Sequence, residues 1–494
     1  LAKNQYITNF RAQSTYVIMN RYYLLFVAFA LHTYIAKAQT LVSATKLKTY
    51  TVGELILSGI FSAENEVDLY HIIYNTVDPS GAPTIASGAL AVPVLTNCDS
   101  FPLVNYNHGT VLGKEEVPSR MAGEEFVGLA SASQAAIATM PDYLGLGDSP
   151  GLHPYQHAES QATATLDMIR ASRSFVTDSL NMNFNGQVFL TGYSQGGHAA
   201  MATHKYIEEN GLTGEFNVVA SAPASGAYDM SETTADFIFS GAYSNPGYIV
   251  YLIEAYQTVY GNLYATRAHY YKSPYDTVIV PYLSGDSSMS QLNAVLPAHI
   301  DSLLQDSVLN NYIADSVNFT HPLRKALKAN DVYDWTPQAE ILMNYCEADE
   351  QVPYQNSLKA ETVMKANGAT GVSAVSRGAF FDHGQCVLPS LTAIQSFFQA
   401  RSKDCISTGI REKNATQFTF YPNPAHNVVT IEMSNNNSGL NYTVTLRRAD
   451  GAEILRKSYN EPKINVSLSD LPAGLYLMGI ENEKGISLKK LIVN

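Results

Sequence analysis

At 494 residues the chain is too long for one simple domain, and 46% hydrophobic with 15% charged residues is the balance of a folded protein with a large core. Its net charge of −13 disfavours nucleic acid or an anionic membrane as a partner, since both demand basic patches. Two or three domains are expected.

The chain opens at Leu1, and Met19 reads as the natural start. Arg21 supplies a positive n-region, Leu24 to Leu31 an apolar core, and Ala36-Lys37-Ala38 a small-x-small cleavage site before Gln39. That core is short for a bilayer span, so residues 1–38 are assigned to upstream residues and an export signal, not a transmembrane anchor. Export makes the four cysteines candidates for disulfides.

Two β-rich runs, Tyr70 to Val77 and Thr84 to Val94, flank a Pro-Ser-Gly turn and predict an antiparallel hairpin at a sheet edge. Phe101 to Asn107 is the next strand and ends in His108-Gly109. Residues 135–147 hold another, opening into a Gly/Pro-rich loop through Pro154. Ala162, Leu166, Ile169 and Phe175 recur at helical spacing. Val188 to Leu190 reads as a buried strand, Ala199 to Tyr206 as a helix, and Phe216 to Pro223 as the strand that follows. Strands that alternate with helices and are apolar throughout predict an α/β fold with a mostly parallel sheet covered on both faces.

Residues 228–335 break the rhythm with helical patterns and ten tyrosines between Tyr243 and Tyr282, and are expected to form a cap inserted between core strands. The tyrosines serve either as packing for the cap or as an amphipathic wall for substrate. The core resumes at Glu340 to Pro353, continues through Ser373 to His383 and closes with a helix, Leu388 to Arg401, so that the main domain spans 39–402. A polar linker follows at 403–416. Residues 417–494 carry short β-rich runs separated by turn signals, which predicts a small all-β domain. Cys346 and Cys386 each follow a core strand and are expected to pair; Cys98 and Cys405 lie toward the opposite end and form the other expected pair.

The chemistry is carried by Gly192-x-Ser194-x-Gly196, set between the strand and the helix, which is the context of a nucleophile elbow. A serine on so tight a turn takes a strained backbone, and side chains two residues either side would clash with it. Such a hydroxyl needs a base, and the base needs a carboxylate to orient it. His383 is the candidate base, in a loop after the last core strand. Asp349 is the candidate acid, just past its strand, whereas Asp382 as a direct neighbour of His383 points the other way. Ser194, Asp349 and His383 occur in the chain order nucleophile, acid, base. The oxyanion donors expected are the N–H of Gln195 and that of Gly109 or Thr110, with His108 holding their loop. No His/Cys cluster calls for a metal, and no cofactor is required.

Tyr106-x-His108-Gly109-Thr110, Pro141 to Gly147, Gly192 to His198, Ala348-Asp-x-x-Val-Pro353 and Asp382-His383 together resemble the α/β-hydrolases, and more narrowly the secretory lipase and esterase group, over about residues 45–402. The resemblance implies a serine esterase or lipase with a lid at 228–335, and is weak for substrate: triglyceride, acetylated carbohydrate and phenolic esters all stay open, with the cap tyrosines leaning toward an aromatic or sugar ester. A secreted exopeptidase of the same fold and a non-enzymatic surface binding protein are the rivals. The tail is similar to the type A sorting domain of type IX secretion, on Phe420 to Ala425, Asp450-Gly451, Leu471 to Tyr476 and Lys489 to Val493. This implies a secreted or cell-surface protein of a Gram-negative bacterium, with the secretion machinery as a partner. Deleting residues 417–494 should abolish release from the cell; fractionation that still finds the truncated chain outside would remove the sorting role.

Overall fold

The computed structural model describes residues 40–95, 98, 100–241, 243–403, 418–433, 441–448, 452–482 and 485–494. The expected export signal, most of the linker and Cys405 lie outside these residues. The chain divides into a main unit and a second unit that holds the C-terminal residues.

The main unit is built on a nine-stranded sheet of order β1-β2-β3-β5-β4-β6-β7-β8-β9. Its strands are β1 (Leu41–Tyr50), β2 (Glu66–Val77), β3 (Pro83–Val94), β4 (Ser100–Asn107), β5 (Ile137–Pro141), β6 (Asn183–Tyr193), β7 (Val218–Ala224), β8 (Glu340–Tyr345) and β9 (Val372–Ser376). β1, β2, β3 and β5 pair antiparallel, and from β5 through β9 every pairing is parallel. The β2–β3 hairpin is present but is not the edge. β1 lies outside it, and its mostly exposed LVSATKLKTY sequence gives no clean alternation to read.

β4, β5 and the end of β6 are buried residue after residue. That is the signature of strands covered on both faces, where each Leu, Val or Phe withdrawn from water contributes about 1.5–3 kcal/mol. Helices supply the cover. α1 (Glu125–Ser133) packs on β3 and β5, α2 (Ala158–Leu180) spans the opposite face, and α3 (Gln195–Glu209) follows β6. His157 caps α2 by accepting from Ser160 N–H, and Asn181 ends it in the left-handed conformation.

Between β7 and β8 the chain leaves the sheet for a helical insertion, whose longest helix is α4 (Pro246–Tyr260). Tyr243, Tyr251, Tyr256, Tyr270 and Tyr271 are buried in its core with Ile249, Val250, Ile253 and Leu303. For these five the packing alternative holds. The last two helices of the main unit are α5 (Gln355–Ala366) and α6 (Val387–Gln399). No described helix is long and apolar enough to cross a membrane.

The C-terminal unit has two antiparallel sheets, one of three strands and one of four. Val429 and Ile431, Val444 and Leu446, Ile464 and Val466, and Met478 and Ile480 turn inward at alternate positions to form its core.

The tightest approach in the main unit is between α3 and the end of β4. A Cβ on Gly196 would overlap the Asn107 carbonyl, and one on Gly192 would overlap the Gly196 carbonyl. Gly196→Ala should therefore displace α3 at a cost of about 3 kcal/mol. Denaturant unfolding checks this; a variant as stable as the parent would mean that the elbow tolerates a side chain.

Candidate functional site

Ser194 takes φ 59° and ψ −119° between β6 and α3. For a side chain larger than glycine this is a strained conformation, held in place by the packing on both sides of it. The strain lifts the side chain out of the sheet and starts α3 at the next residue, so that Gln195 N–H is a free helix-terminal donor. Ser194 N–H donates to Ala224 O at 3.0 Å, and the Ser194 carbonyl already accepts from Gly197 and His198.

The His383 imidazole Nδ1 lies 2.9 and 2.8 Å from the two carboxylate oxygens of Asp349. Both side chains are buried. Asp349 also accepts the N–H groups of Gln351 at 3.0 Å and Val352 at 2.9 Å, which fix the carboxylate in its own turn. Asp382 does not join them. It caps the turn after itself by accepting from Gln385 N–H at 2.8 Å. With Nδ1 committed to Asp349, Nε2 is the nitrogen left for proton transfer.

The loop that carries His383 is tied to the elbow and to the acid turn. Tyr193 donates its phenol to the His383 carbonyl at 2.6 Å, and the two rings lie 5.1 Å apart. Glu350 accepts His383 N–H at 3.0 Å. Burial pushes the Glu350 carboxyl up, but the His383 N–H and its other donors outweigh this and leave it below the usual range. Cys346 and Cys386 form a disulfide as expected, three residues before Asp349 and three after His383. Closing this 40-residue separation restricts the unfolded chain by about 4 kcal/mol in the chain-entropy model. Cys98 is disulfide-bonded as well, its expected partner being Cys405. The Ser194 hydroxyl and the imidazole make no hydrogen bond in this structure. Such contacts are commonly long without substrate and tighten when it binds.

One expected donor is corrected. Gly109 N–H is not free, because it donates to both carboxylate oxygens of Glu124, at 3.2 and 3.0 Å. Glu124 is fixed in turn by the Tyr106 phenol at 2.7 Å. Of the two alternatives in that loop, Thr110 is the one whose N–H is unengaged. Gly109 itself lies close to the elbow: a Cβ there would be 3.8 Å from the Tyr193 carbonyl oxygen. His108 stands behind the loop, its two ring nitrogens facing the carbonyls of Gly109 at 2.7 Å and Asp142 at 3.2 Å, one of which takes its N–H.

Gln195 is anchored by its side chain. His153 Nδ1 donates to Leu144 O at 2.7 Å, so its Nε2 is the acceptor for Gln195 Nε2, also at 2.7 Å. Burial pushes the His153 pKa down to about 3, which keeps that acceptor unprotonated. The Pro141–Gly147 segment makes room for this ring. Gly145, at φ 76°, is where a Cβ would overlap the His153 backbone. Tyr155 hydrogen-bonds Thr110 Oγ1 at 3.0 Å, and in the insertion Tyr243 and Tyr248 donate to Gln351 O and Oε1 at 3.0 and 3.2 Å.

The sequence assigned no catalytic role to Glu124, Glu350, Tyr155 or His153. Tyr193 had a signal, its place between the glycine and serine of the elbow. Among the described residues no group of three or more His, Cys, Asp or Glu side chains is placed to hold a metal ion.

A strained serine between a parallel strand and a helix, under a helical insertion, defines the class as an α/β-hydrolase. Residues 127–379 match the family model described as secretory lipase, and residues 419–494 match the secretion system C-terminal sorting domain. The rice cell wall degrading esterase LipA from Xanthomonas oryzae is 30% identical, over 74% of this chain and 99% of that chain, with a TM-score of 0.67. A ligand-bound form of the same esterase matches at 29% identity over the same shares, again with a TM-score of 0.67. Lipase A of Candida antarctica shares the fold at 16% identity over 75% of this chain and 84% of that chain, with a TM-score of 0.55. No curated protein sequence matches the chain. The chain belongs to the secretory lipase family: it is a hydrolase of that family with a sorting domain for export to the cell surface by type IX secretion.

Three buried histidines give the protein a pH dependence. Burial pushes His153 down to about 3, and His157 and His198 each to about 4, from the ordinary 6.5. Their folded forms stay neutral while the unfolded chain binds protons below 6.5, so stability is full above that pH and is lost as the pH falls toward 4. Each ring contributes up to about 1.4 kcal/mol per pH unit. Urea midpoints should drop between about pH 7.5 and pH 5.5; a constant midpoint would mean the rings charge in place.

Proposed function

We propose that the chain hydrolyses carboxylic esters through an acyl-enzyme on Ser194. The observation that carries this reading is the His383–Asp349 pair, at 2.8 Å, tied by Tyr193 to the elbow that holds a strained serine. In this mechanism Ser194 Oγ bonds to the ester carbonyl carbon as its proton passes to His383 Nε2. Asp349 steadies the resulting imidazolium through Nδ1. The carbonyl oxygen becomes the oxyanion and takes hydrogen bonds from the N–H groups of Gln195 and Thr110. Collapse breaks the bond to the alkoxy oxygen, which leaves as the alcohol with the proton from His383. Water then attacks the acyl group with His383 as base, and the acid departs.

The substrate class has support from two sides. Membership in the secretory lipases favours esters, and the likeness to a cell wall degrading esterase makes acetylated or phenolic esters of cell wall carbohydrate the first to test. Five of the cap tyrosines that lean toward an aromatic or sugar ester in the sequence are buried packing, so that leaning rests no longer on them.

A panel of p-nitrophenyl acetate, butyrate and palmitate, methyl ferulate, an acetylated sugar and two aminoacyl p-nitroanilides tests the reading. Ester turnover is expected, with a loss of about a millionfold in Ser194→Ala and about ten-thousandfold in Asp349→Asn. Turnover of the anilides alone would replace the esterase with a peptidase. Silence throughout, with no fluorophosphonate labelling of Ser194, would leave a binding protein.

A further inference from the structure

Thr110 brings two polar hydrogens to the edge of the candidate site, its N–H and its hydroxyl, and the proposed ester hydrolysis uses only the first. A role for the second rests on that esterase reading. Thr110 Oγ1 and the Tyr155 phenol oxygen are 3.0 Å apart, and the distance alone does not say which of them donates. Burial decides it.

Tyr155 is 6% exposed and stacked on Tyr251 of α4 at 4.8 Å; Thr110 Oγ1 is the oxygen at hydrogen-bond distance from its phenol, and the Gln156 amide is its other polar neighbour. Burial also raises its pKa, so the phenol keeps its proton. Thr110 is only half-buried. Were Thr110 the donor, the phenol hydrogen would be left inside the protein with no acceptor, which costs about 1–3 kcal/mol. With Tyr155 as donor, the free hydrogen is the one on Thr110, on the more open side, where water or a substrate oxygen can accept it. The second arrangement wins, and it leaves the Thr110 hydroxyl unable to turn its hydrogen toward Tyr155.

The backbone places this residue beside the elbow. β4 and β6 run in register from Leu103 with Val188 to Asn107 with Gly192, so residues 108–110 leave β4 at the level of Tyr193 and Ser194. Glu124 and His108 fix the two peptide groups before Thr110. Gly109 N–H is spent on Glu124, so the loop has one backbone donor to offer where two stood in sequence.

We propose that the Thr110 hydroxyl is a third oxyanion donor, aimed by Tyr155 as a positioning residue. Thr110 then serves the oxyanion twice, through N–H and O–H, and the stack of Tyr155 on Tyr251 makes the cap helix part of the device.

The test is steady-state hydrolysis of p-nitrophenyl butyrate by the full chain, with Ser194→Ala as background. Thr110→Val, which keeps the shape and N–H but loses the hydroxyl, should lower kcat about a hundredfold and change KM by less than about threefold. Thr110→Ser should recover at least about tenfold of that loss, because it restores the donor. Tyr155→Phe should lower kcat about tenfold, and the double variant Thr110→Val/Tyr155→Phe should be no slower than Thr110→Val alone, since the phenol acts only through the hydroxyl. A Thr110→Val enzyme within about threefold of the parent kcat overturns the proposal, as does an equal loss in Thr110→Val and Thr110→Ser. If Thr110→Val does not fold, Tyr155→Phe decides: an unchanged kcat there overturns it too. The parent enzyme separates the two readings. Absence of Ser194-dependent turnover brings down the hydrolase mechanism itself, whereas turnover that ignores the Thr110 hydroxyl brings down only this proposal.

Discussion

The candidate site depends on how closely the helix after Ser194 approaches the end of β4. Peptide groups of Gly196, Asn107 and His108 are in direct backbone contact, with no space for a side chain between them. This contact forces the serine into its strained turn, and it is also what sets the β4 loop beside the head of α3. Two donors from distant parts of the chain, Gln195 and Thr110, therefore have positions fixed by packing of the main chain. A donor placed in that way costs little reorganisation when charge develops near it, which is the basis of oxyanion stabilisation.

The second arm of the site is held by different means. Asp349 and His383 sit on turns beyond the last strands, and β9 is a half-exposed edge strand that gives its loop little support. Three ties compensate for this. The Cys346–Cys386 disulfide brackets the pair, the Tyr193 phenol holds the His383 carbonyl, and Glu350 holds its N–H. Loops on a sheet rim lose conformational entropy when they are ordered, about 1–2 kcal/mol for each residue fixed. A covalent link together with bonds to both peptide groups of one residue is a way to meet that cost without a buried core.

Much of this was legible in the sequence because it is written locally. The elbow is a five-residue pattern between a strand and a helix, and Asp349 and His383 follow the ends of two apolar runs. The parallel order of the core came from apolar strands alternating with helices. What escaped was settled at a distance. Gly109 and Thr110 are neighbours with equal claims in the sequence, and the choice between them is made by Glu124, whose Gly-Glu-Glu-Phe surroundings carry no signal. The ten tyrosines between Tyr243 and Tyr282 look alike in the sequence, yet five of them pack inward while Tyr248 reaches Gln351 in the turn after Asp349. β1 escaped for another reason. An edge strand with most of its residues exposed needs no apolar alternation.

The tyrosines that bridge the cap to the core change what the insertion can be. On one side Tyr251 stacks on Tyr155, which bonds Thr110; on the other, Tyr243 and Tyr248 bond Gln351, two residues from Asp349. Each of these contacts is worth about 0.5–1.5 kcal/mol. A rigid-body opening of α4 would break the Tyr251–Tyr155 stack and the Tyr248–Gln351 bond together, and it would loosen the support of the Thr110 loop and of the turn after Asp349 at the same moment. The insertion is thus tied to the core on both sides of the candidate site, through Tyr251 toward Thr110 and through Tyr243 and Tyr248 toward Asp349.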